Sequence, residues 1–165
     1  MQRGGRVIDA AGGHGLLAHV MLLLDDSSAE AVVVDNTPPP SAATLRDALV
    51  AAWPRLDARV RHVDTDVGEF LLAATDVVVS CHACGALTDR ILERAAAARA
   101  AVAVLPCCHD FDTCDPGSLG GWVDQSLAID VMRAVRLEQH GYRVWTQTIP
   151  AAITAKNRLL IGLPE

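Results

Sequence analysis

Short runs of β-branched residues alternate along the chain with longer segments whose apolar positions recur at helical spacing. Residues 6–9 (Arg-Val-Ile-Asp) read as a short strand cut off by Ala-Ala-Gly-Gly. Residues 14–24 are apolar nearly all round, as a helix buried against a sheet is. Ala31–Asp35 (Ala-Val-Val-Val-Asp) has the continuous apolar character of a strand covered on both faces, and it ends in an acid. Prolines 38 to 40 stop that run, and Ser41 is placed to N-cap a helix reaching Trp53. Residues 59–63 alternate like a third strand, 67–74 read as a short helix, and 76–80 (Asp-Val-Val-Val-Ser) as a fourth strand. An Ala-rich helix over 87–100 leads to a fifth strand, Ala101–Leu105, halted by Pro106. After a loop rich in Asp, Cys and Gly comes a long helix over about 123–139, closed by Gly141. Strands over 142–149 and 158–163 finish the chain, joined by too few residues for a crossover helix.

This order predicts an α/β fold. It is a doubly wound, mostly parallel seven-stranded sheet with an antiparallel C-terminal hairpin strand and helices on both faces. No repeat or linker divides the 165 residues, so one domain over 1–165 is expected. Hydrophobic residues make up 51% and charged residues 21%, which excludes a disordered chain. The longest apolar run, 16–24, is too short to cross a bilayer, and no leader pattern opens the sequence. A cytoplasmic protein without a membrane partner is the expectation. The net charge of −6 (14 basic against 20 acidic residues) weakens the case for a nucleic-acid partner without removing it. Five cysteines, an odd number, fit reduced thiols better than a disulfide framework.

The candidate chemistry begins at the first turn. Asp9-Ala10-Ala11-Gly12-Gly13-His14-Gly15 joins the first strand to the first helix, and glycines there let the backbone turn tightly against a ligand. Twenty residues beyond Gly15, Asp35 ends the second strand, where a carboxylate accepts both hydroxyls of a ribose. Together they point to an adenosine-type ligand at the carboxyl ends of the strands. A dinucleotide is the first rival, since Gly13-x-Gly15-x-x-Ala18 satisfies the permissive fingerprint. Asp9 argues against it, because a carboxylate there repels a pyrophosphate and welcomes an ammonium and a sulfonium. S-adenosylmethionine is such a ligand. The plainer reading of Asp9 is a cap on the following turn.

The Asp-Ala-Ala-Gly-Gly-His-Gly run resembles the first motif of class I S-adenosylmethionine-dependent methyltransferases, with Ala11 where the commonest pattern has glycine. Asp35 resembles their ribose-binding acid, and the closing hairpin resembles their seventh, antiparallel strand. The resemblance covers nearly the whole chain and implies S-adenosylmethionine as cofactor. It implies Asp9, Ala11, Gly12, Gly13, Gly15, Asp35, Asn36 and Ser80 as cofactor contacts. It further implies an adenine contact after the third strand, from Asp64 or Asp66 around Thr65.

Two further runs stand at strand ends: Ser80-Cys81-His82-Ala83-Cys84-Gly85-Ala86-Leu87-Thr88-Asp89 and Leu105-Pro106-Cys107-Cys108-His109-Asp110. They resemble a methyltransferase subgroup that pairs a His-x-Cys-Gly run with a Pro-Cys-Cys-His run, a pairing similar to that of a eukaryotic tRNA 2′-O-methyltransferase family. Thr154-Ala155-Lys156-Asn157-Arg158 resembles the segment before that subgroup's last strand, with Ala155 in place of proline. Three readings of these residues compete. In the first, His82, His109 and Cys84 serve the acceptor, a histidine taking its proton while the cysteines shape the pocket. In the second, Cys81, Cys84, Cys107 and Cys108 bind zinc, although adjacent Cys107 and Cys108 are not expected to aim easily at one ion. In the third, the cysteines are small buried hydrophobes.

The expected function is therefore methyl transfer to an O or N nucleophile of a small-molecule or RNA substrate. The alternatives are a non-catalytic cofactor-binding or thiol/zinc module acting with a partner and, disfavoured by Asp9 and the hairpin, an NAD-dependent oxidoreductase. A homodimer or a partner chain is expected to supply a lid. Elsewhere, His19 reads as a hydrogen-bonded core residue, His62 and His140 as surface residues, and Trp122 as core packing.

Overall fold

The computed structural model describes residues 4–165. In chain order the strands are β1 (Val7–Ala10), β2 (Ala31–Asp35), β3 (Val60–Asp64), β4 (Val77–Cys81), β5 (Ala101–Leu105), β6 (Tyr142–Thr148) and β7 (Arg158–Pro164). Four helices lie between them: α1 (Leu16–Leu24), α2 (Ala42–Ala52), α3 (Ala86–Ala98) and α4 (Gln125–Gln139). They form a seven-stranded sheet of order β3-β2-β1-β4-β5-β7-β6. β1 to β5 pair parallel, and β7 pairs antiparallel with both β5 and β6, so it alone runs against the other six. The expected fold class is the observed one, including the terminal hairpin.

Alternation along the central strands divides the core between two faces. Ile8, Ala10, Val32, Val34 and Val78 pack with Ile91, Leu92 and Ala95 of α3 and Leu137 of α4. Val7, Ala31, Val33 and Val79 pack on the other face with Ala18 and Leu22 of α1 and with Leu56. Helices thus cover both faces. The chain reverses at β1 between the α1 and α3 connections, so the edge formed by the ends of β1, β2 and β4 opens into a crevice.

Local chemistry departs from the expectations in three places. No helix forms over 67–74. The Asp66 carboxylate accepts the Gly68 N–H at 2.6 Å, and one turn closes from the Glu69 N–H to the Asp66 carbonyl. A short polar side chain competing for backbone donors beside a glycine ends the helix before it starts. Ser41 does not cap α2: its backbone is already helical and its Oγ lies 2.7 Å from Nε2 of His14. The side-chain cap that does form is on α4, where Asp124 accepts the Leu127 N–H at 3.0 Å. Trp122 is 86% exposed rather than packed in the core. No helix among the described residues is long and apolar enough to cross a membrane.

Candidate functional site

The segment from Ala11 to Gly15 leaves β1 through three residues of positive φ, namely Ala11 (+56°), Gly13 (+52°) and Gly15 (+78°). Gly13 and Gly15 adopt that conformation freely; Ala11 does so at a cost of about 1 kcal/mol. Gly15 also sits where a Cβ would lie 2.7 Å from Val33 and 3.2 Å from Nε2 of His62. His62, expected at the surface, instead lies half-buried under this loop, and burial first of all holds its imidazole below the ordinary histidine value. His19 is fully buried in α1 with Nδ1 2.7 Å from the Gly15 carbonyl, as a core histidine.

The loop encloses a cleft of about 410 Å³ lined by Asp9, Ala11, Gly12, Gly13 and His14, by Leu16, Leu17 and Val20 of α1, and by Cys81 and His82. That volume lies within the roughly 300–1,000 Å³ of small-ligand sites. Asp9 is 1% exposed, and its Oδ2 accepts the Ala18 N–H in the first turn of α1 at 3.1 Å. A Cβ on Gly12 would stand 2.6–2.8 Å from that carboxylate, so glycine at this position lets the loop fold over the acid. Burial above all, together with the charge of Asp35, pushes the Asp9 carboxyl up to about 6 against the opposing Ala18 hydrogen bond. No cation of the described residues offsets it.

Asp35 ties the loop to the second strand, accepting the Gly13 N–H at 2.9 Å on Oδ2 and the Thr37 N–H at 2.8 Å on Oδ1. Each oxygen keeps a lone pair for a further donor. Asn36 is exposed beside it, and Asp64 stands opposite Asp35 at the exposed end of β3. Asp66 is turned to Gly68 and to Arg90 of α3 at 2.5 Å, and the Gly68 N–H chiefly holds its carboxyl below the usual range. Ser80 is buried and donates its hydroxyl to the Ala10 carbonyl at 2.7 Å, clamping β4 to β1. His82 follows it with φ +67° and an exposed ring on the cleft.

The second cysteine run lands elsewhere than the first cysteine. Cys81 lines the cleft, whereas the sulfurs of Cys84, Cys107 and Cys108 meet at the start of α3. The Cys84 and Cys107 sulfurs are 3.5 Å apart and those of Cys107 and Cys108 3.6 Å apart. Adjacent Cys107 and Cys108 therefore do converge: the chain leaves strand geometry after Pro106, so consecutive side chains no longer alternate. Burial, then the hydrogen bonds to Cys84 and Cys108, push the Cys107 thiol up to about 12. Cys108 is held below the ordinary thiol value by hydrogen bonds from Cys107 and Cys84, with help from the charge of Lys156.

His109 does not line the cleft. Its side chain is 5% exposed, with Nε2 2.8 Å from Oδ1 of Asp130. Asp130 also accepts from Arg133 at 3.1 Å and from Arg158 at 2.7 Å. The Arg133 guanidinium, buried to 1%, forks onto Asp89 at 2.9 and 2.7 Å and donates to the Gly85 carbonyl at 3.1 Å. Asp89 and Arg158 stood in the runs singled out above. Asp130 and Arg133 carried no signal, because an acid and a base three apart on a helix read as a solvated face.

A family model described as a methyltransferase domain matches residues 2–111. Among curated proteins, a glutathione S-transferase C-terminal domain-containing protein of Xenopus laevis is 26% identical over 58% of this chain. The matched part spans only 22% of that protein. Among solved structures, a precorrin-6y C5,15-methyltransferase from Geobacter metallireducens superposes with TM-score 0.60 at 13% identity, over 100% of this chain and 82% of its own. An O-methyltransferase from neocarzinostatin biosynthesis, in complex with S-adenosyl-L-homocysteine, gives 0.60 at 21% identity over 96% and 49%. A 16S rRNA methyltransferase gives 0.61 at 14% identity over 99% and 90%.

Proposed function

We propose that this chain, which belongs to the methyltransferase-domain family, moves the methyl group of S-adenosylmethionine to an oxygen or nitrogen nucleophile of a small molecule or an RNA. The observation that carries this reading is Asp9: a buried carboxylate without a cation, covered by Gly12 beside a cleft of ligand size. A phosphate-bearing ligand meets repulsion there, and a ligand with an ammonium and a sulfonium meets attraction. The solved O-methyltransferase that carries S-adenosyl-L-homocysteine supports the same cofactor.

When bound, S-adenosylmethionine would supply an electrophilic methyl group on a positively charged sulfur. What falls to the protein is binding, orientation and proton removal. Asp9 sets the charge at the floor of the cleft, and Asp35 offers its free lone pairs to a ribose. Asn36 and Asp64 supply polar atoms at the exposed end of β2 and β3. His82, exposed on the cleft after β4, is the group placed to take a proton from the acceptor. His109 pairs with Asp130 and does not line the cleft, so the proton-accepting role falls to His82 in this reading. Leu16 at 52% and Val20 at 36% exposure leave apolar surface at the cleft, which a second copy or a partner chain covers as a lid.

Asp35→Ala tests the cofactor assignment. It removes hydrogen bonds to a charged acceptor and should weaken S-adenosylmethionine binding on the order of 10- to 100-fold by calorimetry. Because Asp35 also anchors Gly13 and Thr37, the melting curve of the variant is recorded alongside. An unchanged dissociation constant in a folded variant removes Asp35 from the site.

A further inference from the structure

We propose that the sulfurs of Cys84, Cys107 and Cys108 form a site for one thiophilic d10 cation of the zinc class, distinct from the glycine-loop cleft. The three ligand atoms lie within 4.8 Å of one another, with two separations of 3.5 and 3.6 Å. Thiolates bound tetrahedrally to one zinc at about 2.3 Å sit about 3.8 Å apart. The three sulfurs thus already approximate one face of a coordination tetrahedron, and small side-chain rotations complete it.

The backbone holds them there. The Gly85 N–H donates to the Cys108 carbonyl at 3.0 Å, sewing the two cysteine segments together. Gly85 adopts φ +55° and ψ −132°, a glycine conformation, and a Cβ on it would stand 3.0 Å from that of Asp110. Its carbonyl is gripped in turn by the buried Arg133. The other two cysteines are placed otherwise: Cys81 lines the cleft, and buried Cys114 donates to Asp89 at 3.3 Å. The electrostatics suit an anionic complex. Cys84 immediately precedes Gly85 at the N-terminus of α3, the positive end of a 13-residue helix, and Lys156 acts on Cys108 from the segment before β7.

Cys84 and Cys108 are exposed, so an ion has a way in. Three protein ligands leave the fourth position for water or a substrate atom, the arrangement of a reactive rather than a closed structural site. This proposal does not rest on the methyl-transfer reading.

The test titrates the reduced, metal-free protein with Co(II) under anaerobic conditions. The expected result is a thiolate-to-cobalt charge-transfer absorption that saturates at one ion per chain and is displaced by Zn(II). Cys84→Ser, Cys107→Ser and Cys108→Ser should each abolish or grossly weaken it in protein shown to be folded by circular dichroism, whereas Cys81→Ser and Cys114→Ser should keep it. Cys108 is exposed, so its replacement serves even if the buried Cys107→Ser fails to fold. Absence of the band, or its survival in folded Cys108→Ser, overturns the proposal. S-adenosylmethionine binding measured on the same Cys108→Ser protein keeps the fate of the cleft reading separate.

Discussion

Arg133→Ala is expected to lower folding stability by about 3–5 kcal/mol, the cost of removing one partner from a buried ion network. The guanidinium is 1% exposed and engages Asp89, Asp130 and the Gly85 carbonyl. Without it the Asp89 carboxylate loses its counter-charge, Asp130 is left to Arg158 and His109, and α4 loses its tie to the turn before α3. At this chain length the fall in melting temperature is on the order of 10 °C. Arg133→Met separates charge from packing. It restores much of the apolar stem volume, so a recovery of stability in that variant would assign the loss to packing instead. The pH dependence has a definite sign. Burial pushes the Asp89 carboxyl up, but the hydrogen bonds and charge of Arg133 outweigh it and hold the group below its ordinary value. A depressed carboxyl stabilises the fold fully above its unfolded value of about 4 and loses that contribution as pH falls through the folded value. The gap between wild type and Arg133→Ala, read by urea unfolding, should therefore be widest at neutrality and narrow as the pH falls, because the variant's Asp89, left with burial alone, gains stability on protonation while the wild type loses it.

Asp9→Asn is expected to pull stability and cofactor affinity in opposite directions. Burial holds the Asp9 carboxyl at about 6 in the folded protein, so the native state binds a proton there more tightly than the unfolded chain does. A raised carboxyl favours folding at low pH and loses that advantage as pH rises from about 4 to about 6. Relative to Asp9→Asn, wild type should lose on the order of 2–3 kcal/mol across that window and stay level above it. The amide oxygen of Asn still accepts the Ala18 N–H, so the helix cap survives. The charge does not, and the affinity for S-adenosylmethionine should fall about tenfold at pH 7.5, with the rise in affinity through pH 6 absent from the variant. Equal affinities at pH 7.5 would leave Asp9 a cap and nothing more.

Much of the fold was legible because the central strands carry their burial in their composition. Val-Val-Val runs at 32–34 and 77–79 are covered on both faces, and only a two-sided sheet accommodates them. The glycine loop was legible because its residues have a conformational reason to be there. The failures were local or long-range. Residues 67–74 have helical spacing, yet Asp66 and Gly68 take the backbone donors first. His62 sits at an outward-reading position in β3 and is drawn under Gly15 because that residue has no side chain. Adjacent Cys107 and Cys108 are not expected to aim easily at one ion, yet the irregular segment after β5 brings their sulfurs to 3.6 Å. Arg133 is the clearest case of tertiary context. Nothing within α4 distinguishes it from a surface arginine, and its burial depends on Asp89, 44 residues away, and on the carbonyl of Gly85.

Under the proposed function, the cleft beside Asp9 takes a cationic adenosine ligand without phosphate. Calorimetric titration of the purified protein with S-adenosylmethionine, and separately with NADH, decides whether it does. Saturable binding of S-adenosylmethionine with no heat from NADH is the predicted result. Binding of NADH, or of neither ligand, would contradict this and return the glycine loop to a dinucleotide or to a purely structural turn.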